Sequence, residues 1–134
     1  MNPGKTVIYL DSSVVLSQLL AENRSLPEAI TEDALVSSRL LEYEIWNRIH
    51  ARGLTHSHAD EVNAILDRVL LIDLSAAVLN RALRPFPVSV RTLDGLHLAT
   101  IEFLRTRGND IEFASFDRRL IAGAQALGIS IYAL

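Results

Sequence analysis

The chain predicts an α/β fold: a three-layer α/β/α sandwich around a central parallel sheet of about five strands. Three observations lead there. Short β-branched runs alternate with longer stretches of helical periodicity, so each strand is followed by enough chain to cross back over a sheet. The first run, Thr6-Val7-Ile8-Tyr9-Leu10, has the apolar composition of a buried strand. And 134 residues make one domain with a single core, residues 1–134, and are too few for two of ordinary size.

The elements follow in order. After the strand Thr6 to Leu10, Asp11 occupies the turn, and Ser12 or Ser13 can cap a helix carrying Val15, Leu16, Leu19 and Leu20. Pro27 opens a short helix through about Thr31. A strand over Ala34 to Ser37 precedes a long helix from about Arg39 to Arg52, which Gly53 stops. Thr55 or Ser57 caps the next helix, which runs to about Val69, and Leu70 to Leu74 is the third strand. Ser75 to Arg84 is helical and Pro85-Phe86-Pro87 is a loop. A helix from about Thr92 to Arg107 ends at Gly108, followed by the strand Ile111 to Ser115. The helix Asp117 to Leu127 ends at Gly128, and Ser130 to Tyr132 closes the sheet.

Composition narrows the function. A hydrophobic share of 49% with 22% charged residues describes a globular protein with a well-filled core. Cysteine is absent, which excludes disulfides, zinc-thiolate sites and a thiol nucleophile and suits a reducing compartment. No signal-peptide pattern opens the chain and no run approaches the roughly 18 apolar residues of a membrane span, so a cytoplasmic protein with no membrane association is expected. A net charge of −3 argues against generic charge-driven nucleic-acid binding. Yet twelve of the thirteen basic residues are arginine, whose fork matches phosphate. Arg118-Arg119 and Arg105/Arg107 are therefore local candidates for a polyanionic substrate, beside their ordinary role in solvating a surface.

Four acids are placed unusually. Asp11 and Asp117 follow strands, where sites form in open α/β sheets, and each also suits a helix N-cap. Glu44 falls inside the apolar stripe of Leu40, Leu41 and Ile45, whereas Glu42 points away; Arg48 at i+4 is an alternative partner. Asp94 sits in the first turn of its helix, where the dipole favours negative charge, while the neighbouring Gly95 suggests close approach of another group. If the four carboxylates converge, their repulsion calls for a cation, and with a single lysine in the chain a hard divalent metal ion is the economical choice. His97, in the stripe of Leu93, Ile101 and Leu104, is expected to be a packed, hydrogen-bonded residue rather than a ligand. His56 and His58 flank a cap position and carry little metal-site signal. Tyr43 and Trp46 lie off the apolar stripe and suit an interface with another chain.

These residues carry a resemblance. Tyr9-Leu10-Asp11-Ser12-Ser13, Ser37-Ser38-Arg39-Leu40-Leu41-Glu42-Tyr43-Glu44, Leu93-Asp94-Gly95-Leu96-His97-Leu98-Ala99 and Ser115-Phe116-Asp117-Arg118-Arg119-Leu120 come in the order found in PIN-domain nucleases. The chain resembles in particular the VapC-like toxins of type II toxin/antitoxin pairs, over essentially its whole length. Gly95 departs from the more usual alanine. The resemblance implies a PIN-like fold, with Asp11, Glu44, Asp94 and Asp117 as catalytic, metal-binding carboxylates for Mg²⁺ or Mn²⁺ and Ser13 and Ser115 as supporting hydroxyls. It implies an endoribonuclease in which a metal-activated water hydrolyses an RNA phosphodiester, tRNA or another structured RNA being the expected substrate. It further implies a homodimer and a cognate antitoxin protein. Arg118, Arg119 and Arg91 are candidate phosphate-binding residues by their nearness in sequence to two of the acids.

Rival classes are weaker. The alternative is a catalytically inactive PIN-like module that binds RNA or protein, and the presence of all four carboxylates argues against it. A phospho-acceptor domain needs a lysine near a late strand, and the chain has only Lys5. A dehalogenase-like phosphatase needs that lysine and a second aspartate where Ser13 stands.

Overall fold

A computed structural model describes residues 6–20, 30 and 33–134. Its strands are β1 (Thr6–Leu10), β2 (Ala34–Ser38), β3 (Val69–Ile72), β4 (Asp110–Ala114) and β5 (Ser130–Ile131). Its helices of the described residues are α1 (Ser12–Leu19), α2 (Arg39–Ala51), α3 (Ala59–Leu66), α4 (Ala76–Ala82), α5 (Thr92–Thr106) and α6 (Arg118–Ala126). The strands pair in the order β3-β2-β1-β4-β5, all in parallel.

Side-chain alternation along β1 divides the core in two. Ile8 and Leu10 point to one face, where Val14, Val15 and Leu19 of α1, Leu41, Ile45 and Ile49 of α2, and Val62 and Leu66 of α3 cover them. Val7 and Tyr9 point to the other, against Leu98, Ile101 and Leu104 of α5 and Leu120 and Ala124 of α6. The expected three-layer α/β/α arrangement with five parallel strands is therefore the one observed. Chain direction explains the split. The sheet grows from β1 to β3 in one direction with its crossover helices on one face, then jumps back past β1 to β4 and β5, and right-handed crossovers put the remaining helices on the other face. The strand order thus reverses between β1 and β4, the topological switch point at which α/β folds form sites.

Most boundaries match the sequence-based expectation within a residue or two, and Gly53 and Gly108 do terminate α2 and α5 in the left-handed region, at φ 68° and 84°. The helix expected to reach Val69 stops at Leu66 instead. Val69 joins β3, paired opposite Leu35 and almost fully buried, where a β-branched side chain gains more than at a fraying helix end. That helix is also not capped as expected. Thr55 Oγ1 is taken by His50 Nδ1 (2.7 Å) and Ser57 Oγ by His58 Nδ1 (2.8 Å), so His58 holds the N-cap position and its side chain makes no cap bond to the helix. The short helix expected from Pro27 lies outside the described residues, apart from Ile30, which is helical and buried. Trp46 corrects another expectation: it is half-buried against the α1–α3 side of the core, its ring stacked on His50 (centroids 5.5 Å apart), whereas Tyr43 is 60% exposed. No helix among the described residues is long and apolar enough to cross a membrane.

Candidate active site

The carboxyl ends of β1 and β4 lie side by side, with the Asp11 backbone N–H donating to Ala114 O (3.0 Å). Asp11 stands in the N-cap position of α1, but its side chain caps nothing. Its Oδ2 accepts instead from Ser13 Oγ (2.6 Å) and Ser115 Oγ (2.8 Å). Each hydroxyl does double duty: Ser13 Oγ accepts from the Phe116 N–H and Ser115 Oγ from the Asp117 N–H, both at 2.9 Å. The two serines therefore fasten the turn after β1 to the turn after β4, and they hold a carboxylate that is only 4% exposed. Burying a charge is costly unless it is hydrogen-bonded, and here both bonds converge on one oxygen.

Asp117 does cap its helix. Oδ1 accepts from the N–H groups of Arg119 (3.0 Å) and Leu120 (3.2 Å), while Oδ2 faces Arg91. Asp94, in the first turn of α5, accepts from Arg91 Nε through Oδ2 (3.2 Å), and the same guanidinium reaches Asp117 Oδ2 through its terminal nitrogen (3.4 Å). Arg91 thus bridges two acids as their counter-cation, with its own side chain 60% exposed.

Glu44 turns to His97 rather than Arg48. Its Oε1 lies 2.6 Å from His97 Nε2, and His97 Nδ1 lies 2.7 Å from Tyr9 Oη. His97 is buried and hydrogen-bonded, as expected, although Leu93, expected on the same buried stripe, is exposed at the rim. Burial pushes the Tyr9 phenol far above its usual pKa range, against the smaller lowering effect of the neighbouring Ser37 and Thr100 side chains and the Ser38 backbone. The involvement of Tyr9 was not foreseen from the sequence. Its strand position marks only core, and the one available signal was its two-residue spacing from Asp11.

Glu44, Asp94 and Asp117 line one cavity of about 420 Å³, together with Arg91, Thr92 and Leu93. Asp11 is joined to this cavity through Ser115 and the Asp117 backbone. A neighbouring cavity of about 330 Å³ shares Arg91 and Asp94 and adds Arg119, and another of about 350 Å³ shares Glu44 and Leu93 and reaches Asn47 and Arg48. Shared linings place these cavities side by side as a trough, with Arg91 among its acids and Arg119 and Arg48 farther along it. Arg118 is exposed at the first position of α6. The donors are all oxygens, the set a hard divalent cation takes. In position, however, no group of three or more His, Cys, Asp or Glu side chains among the described residues stands ready to hold a metal ion. Arg91 instead supplies the positive charge between Asp94 and Asp117.

An acidic trough at the switch point of a parallel α/β/α sandwich is the class that fold and site define. No protein-family model matches the chain. A curated relative does: Ribonuclease VapC46 of Mycobacterium tuberculosis (strain ATCC 25618 / H37Rv) is 30% identical over 132 residues, covering 94% of this chain and 96% of that protein. The chain belongs to the VapC ribonuclease family.

Proposed function

We propose that this chain is a single PIN domain, a metal-dependent endoribonuclease that acts as the toxin of a toxin/antitoxin pair. The observation that carries the reading is the meeting of Glu44, Asp94 and Asp117 on one cavity, with Asp11 tied to them through Ser115, at the sheet's switch point. The relationship to a ribonuclease of the VapC family supports it independently.

Each group then has a task. Asp11, Glu44, Asp94 and Asp117 are the residues that hold Mg²⁺ or Mn²⁺, and Ser13 and Ser115 fix the carboxylate of Asp11. When bound, the ion lowers the pKa of a water and stabilises the leaving oxygen of a phosphodiester. Arg91 and Arg119, on the adjoining stretch of the trough, meet substrate phosphate, with Arg118 beside them. Arg91 is paired with Asp94 and Asp117, so a cation held by those carboxylates would supply the positive charge that the guanidinium supplies in its absence. The partners that belong to this reading are a structured RNA such as tRNA, an antitoxin that covers the trough, and a second copy of the chain, for which exposed Tyr43 offers an aromatic contact.

A second reading, a PIN-like module that binds RNA or protein without cleaving, draws on the lack of a preassembled three-ligand group among the described residues. One experiment separates the two. Induction of the intact protein is expected to arrest growth and create new 5′ ends at defined positions in cellular RNA, while Asp11→Ala and Asp94→Ala are expected to do neither. Growth arrest that persists with both variants would overturn the nuclease reading.

A further inference from the structure

A chain of hydrogen bonds runs from the core to the acidic trough. Tyr9, fully buried on the central strand, meets His97 Nδ1 at 2.7 Å, and His97, 1% exposed, meets Glu44 Oε1 at 2.6 Å through Nε2. Each ring nitrogen of His97 thus has one partner, the Tyr9 hydroxyl at Nδ1 and the Glu44 carboxylate at Nε2, and a carboxylate accepts from a proton-bearing nitrogen. The phenol keeps its proton, because burial raises its pKa far above the usual range.

Packing alone does not explain these polar groups. The Tyr9 ring contacts the Phe113 ring (centroids 5.9 Å apart) in a core where Phe and Leu fill volume without desolvation. The polar chain opens to the trough at Glu44, whose side chain is 20% exposed. Among the described residues no hydrogen bond engages its Oε2. His97 also sits one helical turn after Asp94 on α5, so one rigid element carries both a candidate ligand and the arm that grips another.

We infer that His97 is a positioning residue: its Nε2–H holds Glu44 Oε1 and leaves Oε2 for the metal ion, while the Tyr9 O–H fixes the tautomer. The inference rests on the metal-site reading above. Groups that orient a ligand typically change metal affinity by about 10- to 100-fold when removed.

The test measures Mn²⁺ binding to the purified protein by calorimetry, alongside thermal unfolding. His97→Phe keeps a ring in the core and removes the N–H; it is expected to weaken Mn²⁺ binding by about tenfold or more. His97→Gln, whose amide nitrogen reaches as far as Nε2, is expected to recover most of that loss. Tyr9→Phe, which deletes one hydroxyl and preserves core volume, is expected to weaken binding several-fold and serves as the deciding variant if His97→Phe does not fold. Wild-type affinity in a folded His97→Phe or in Tyr9→Phe overturns the inference, as does His97→Gln binding as poorly as His97→Phe at the same melting temperature. Absence of Mn²⁺ binding by the wild-type protein overturns the metal-site reading itself, and the inference with it.

Discussion

Ser115 is a small residue with three polar neighbours. Its hydroxyl donates to Asp11 Oδ2, accepts from the Asp117 N–H, lies 3.4 Å from Ser13 Oγ and is only 5% exposed. Removing it leaves a buried carboxylate with one hydroxyl partner and a backbone N–H with none. An unsatisfied buried group costs about 1–3 kcal/mol, more when it is charged. Ser115→Ala is therefore expected to lose about 1–3 kcal/mol of stability in urea unfolding of the metal-free protein. A loss below about 0.5 kcal/mol, the range of ordinary surface changes, would show that Asp11 draws its support elsewhere. Sequence reasoning reached Ser13 and Ser115 only through family resemblance. A serine after a strand is compatible with any cap or turn, and nothing local reveals that its hydroxyl reaches a carboxylate about a hundred residues away.

At the scale of elements, the two glycines that face Val90 have opposite consequences. A methyl group at Gly95, in the first turns of α5, meets Val90 Cγ2 at 3.4 Å and Phe86 Cε2 at 3.5 Å, which is ordinary contact. The close approach expected from the sequence is real, but it leaves room for a methyl, so the helix propensity of alanine decides the sign. Gly95→Ala is expected to raise stability by about 0.5–1 kcal/mol. Gly123 on α6 is different: a Cβ there lies 3.0 Å from Leu98 Cδ1, on a fully buried side chain packed between the helices. Gly123→Ala is expected to cost about 1–3 kcal/mol through overpacking despite its propensity gain. Thermal unfolding of the two variants checks both, and a destabilised Gly95→Ala or a stabilised Gly123→Ala would refute the packing argument. Elements themselves were readable from periodicity and stop signals, as the match of β1, α2 and α5 shows. What periodicity missed were contests between two local solutions: Val69, whose apolar phase fits a helix end but whose pairing with Leu35 puts it in β3, and Trp46, whose angle on the wheel lies off the stripe but whose size reaches the core.

Over the whole molecule, charge is distributed more informatively than the total of −3 suggests. The helix α5 separates two groups of arginines by its length, about 22 Å for 15 residues at about 1.5 Å each. At its C-terminal end Arg105 donates to Leu127 O (2.9 Å) and Arg107 lies over the Phe103 ring (4.9 Å), so the Arg105/Arg107 pair, a candidate either for a polyanion or for surface solvation, is engaged with local structure. At its N-terminal end Arg91 and Arg119 line the trough beside the acids, in a position the sequence indicated only by the nearness of these residues to Asp94 and Asp117. RNA affinity should therefore depend on which arginine is removed, not on net charge alone. Each phosphate contact contributes a slope of about 0.7 to the dependence of log affinity on log salt for a single strand. Arg119→Gln is expected to lower that slope by about 0.7, and Arg107→Gln, with the same change in net charge, to leave it unaltered. Fluorescence anisotropy of a labelled single-stranded RNA, titrated in EDTA so that no strand is cut, measures both. Equal slopes for the two variants would mean that RNA senses only the total charge and that the trough is not its path.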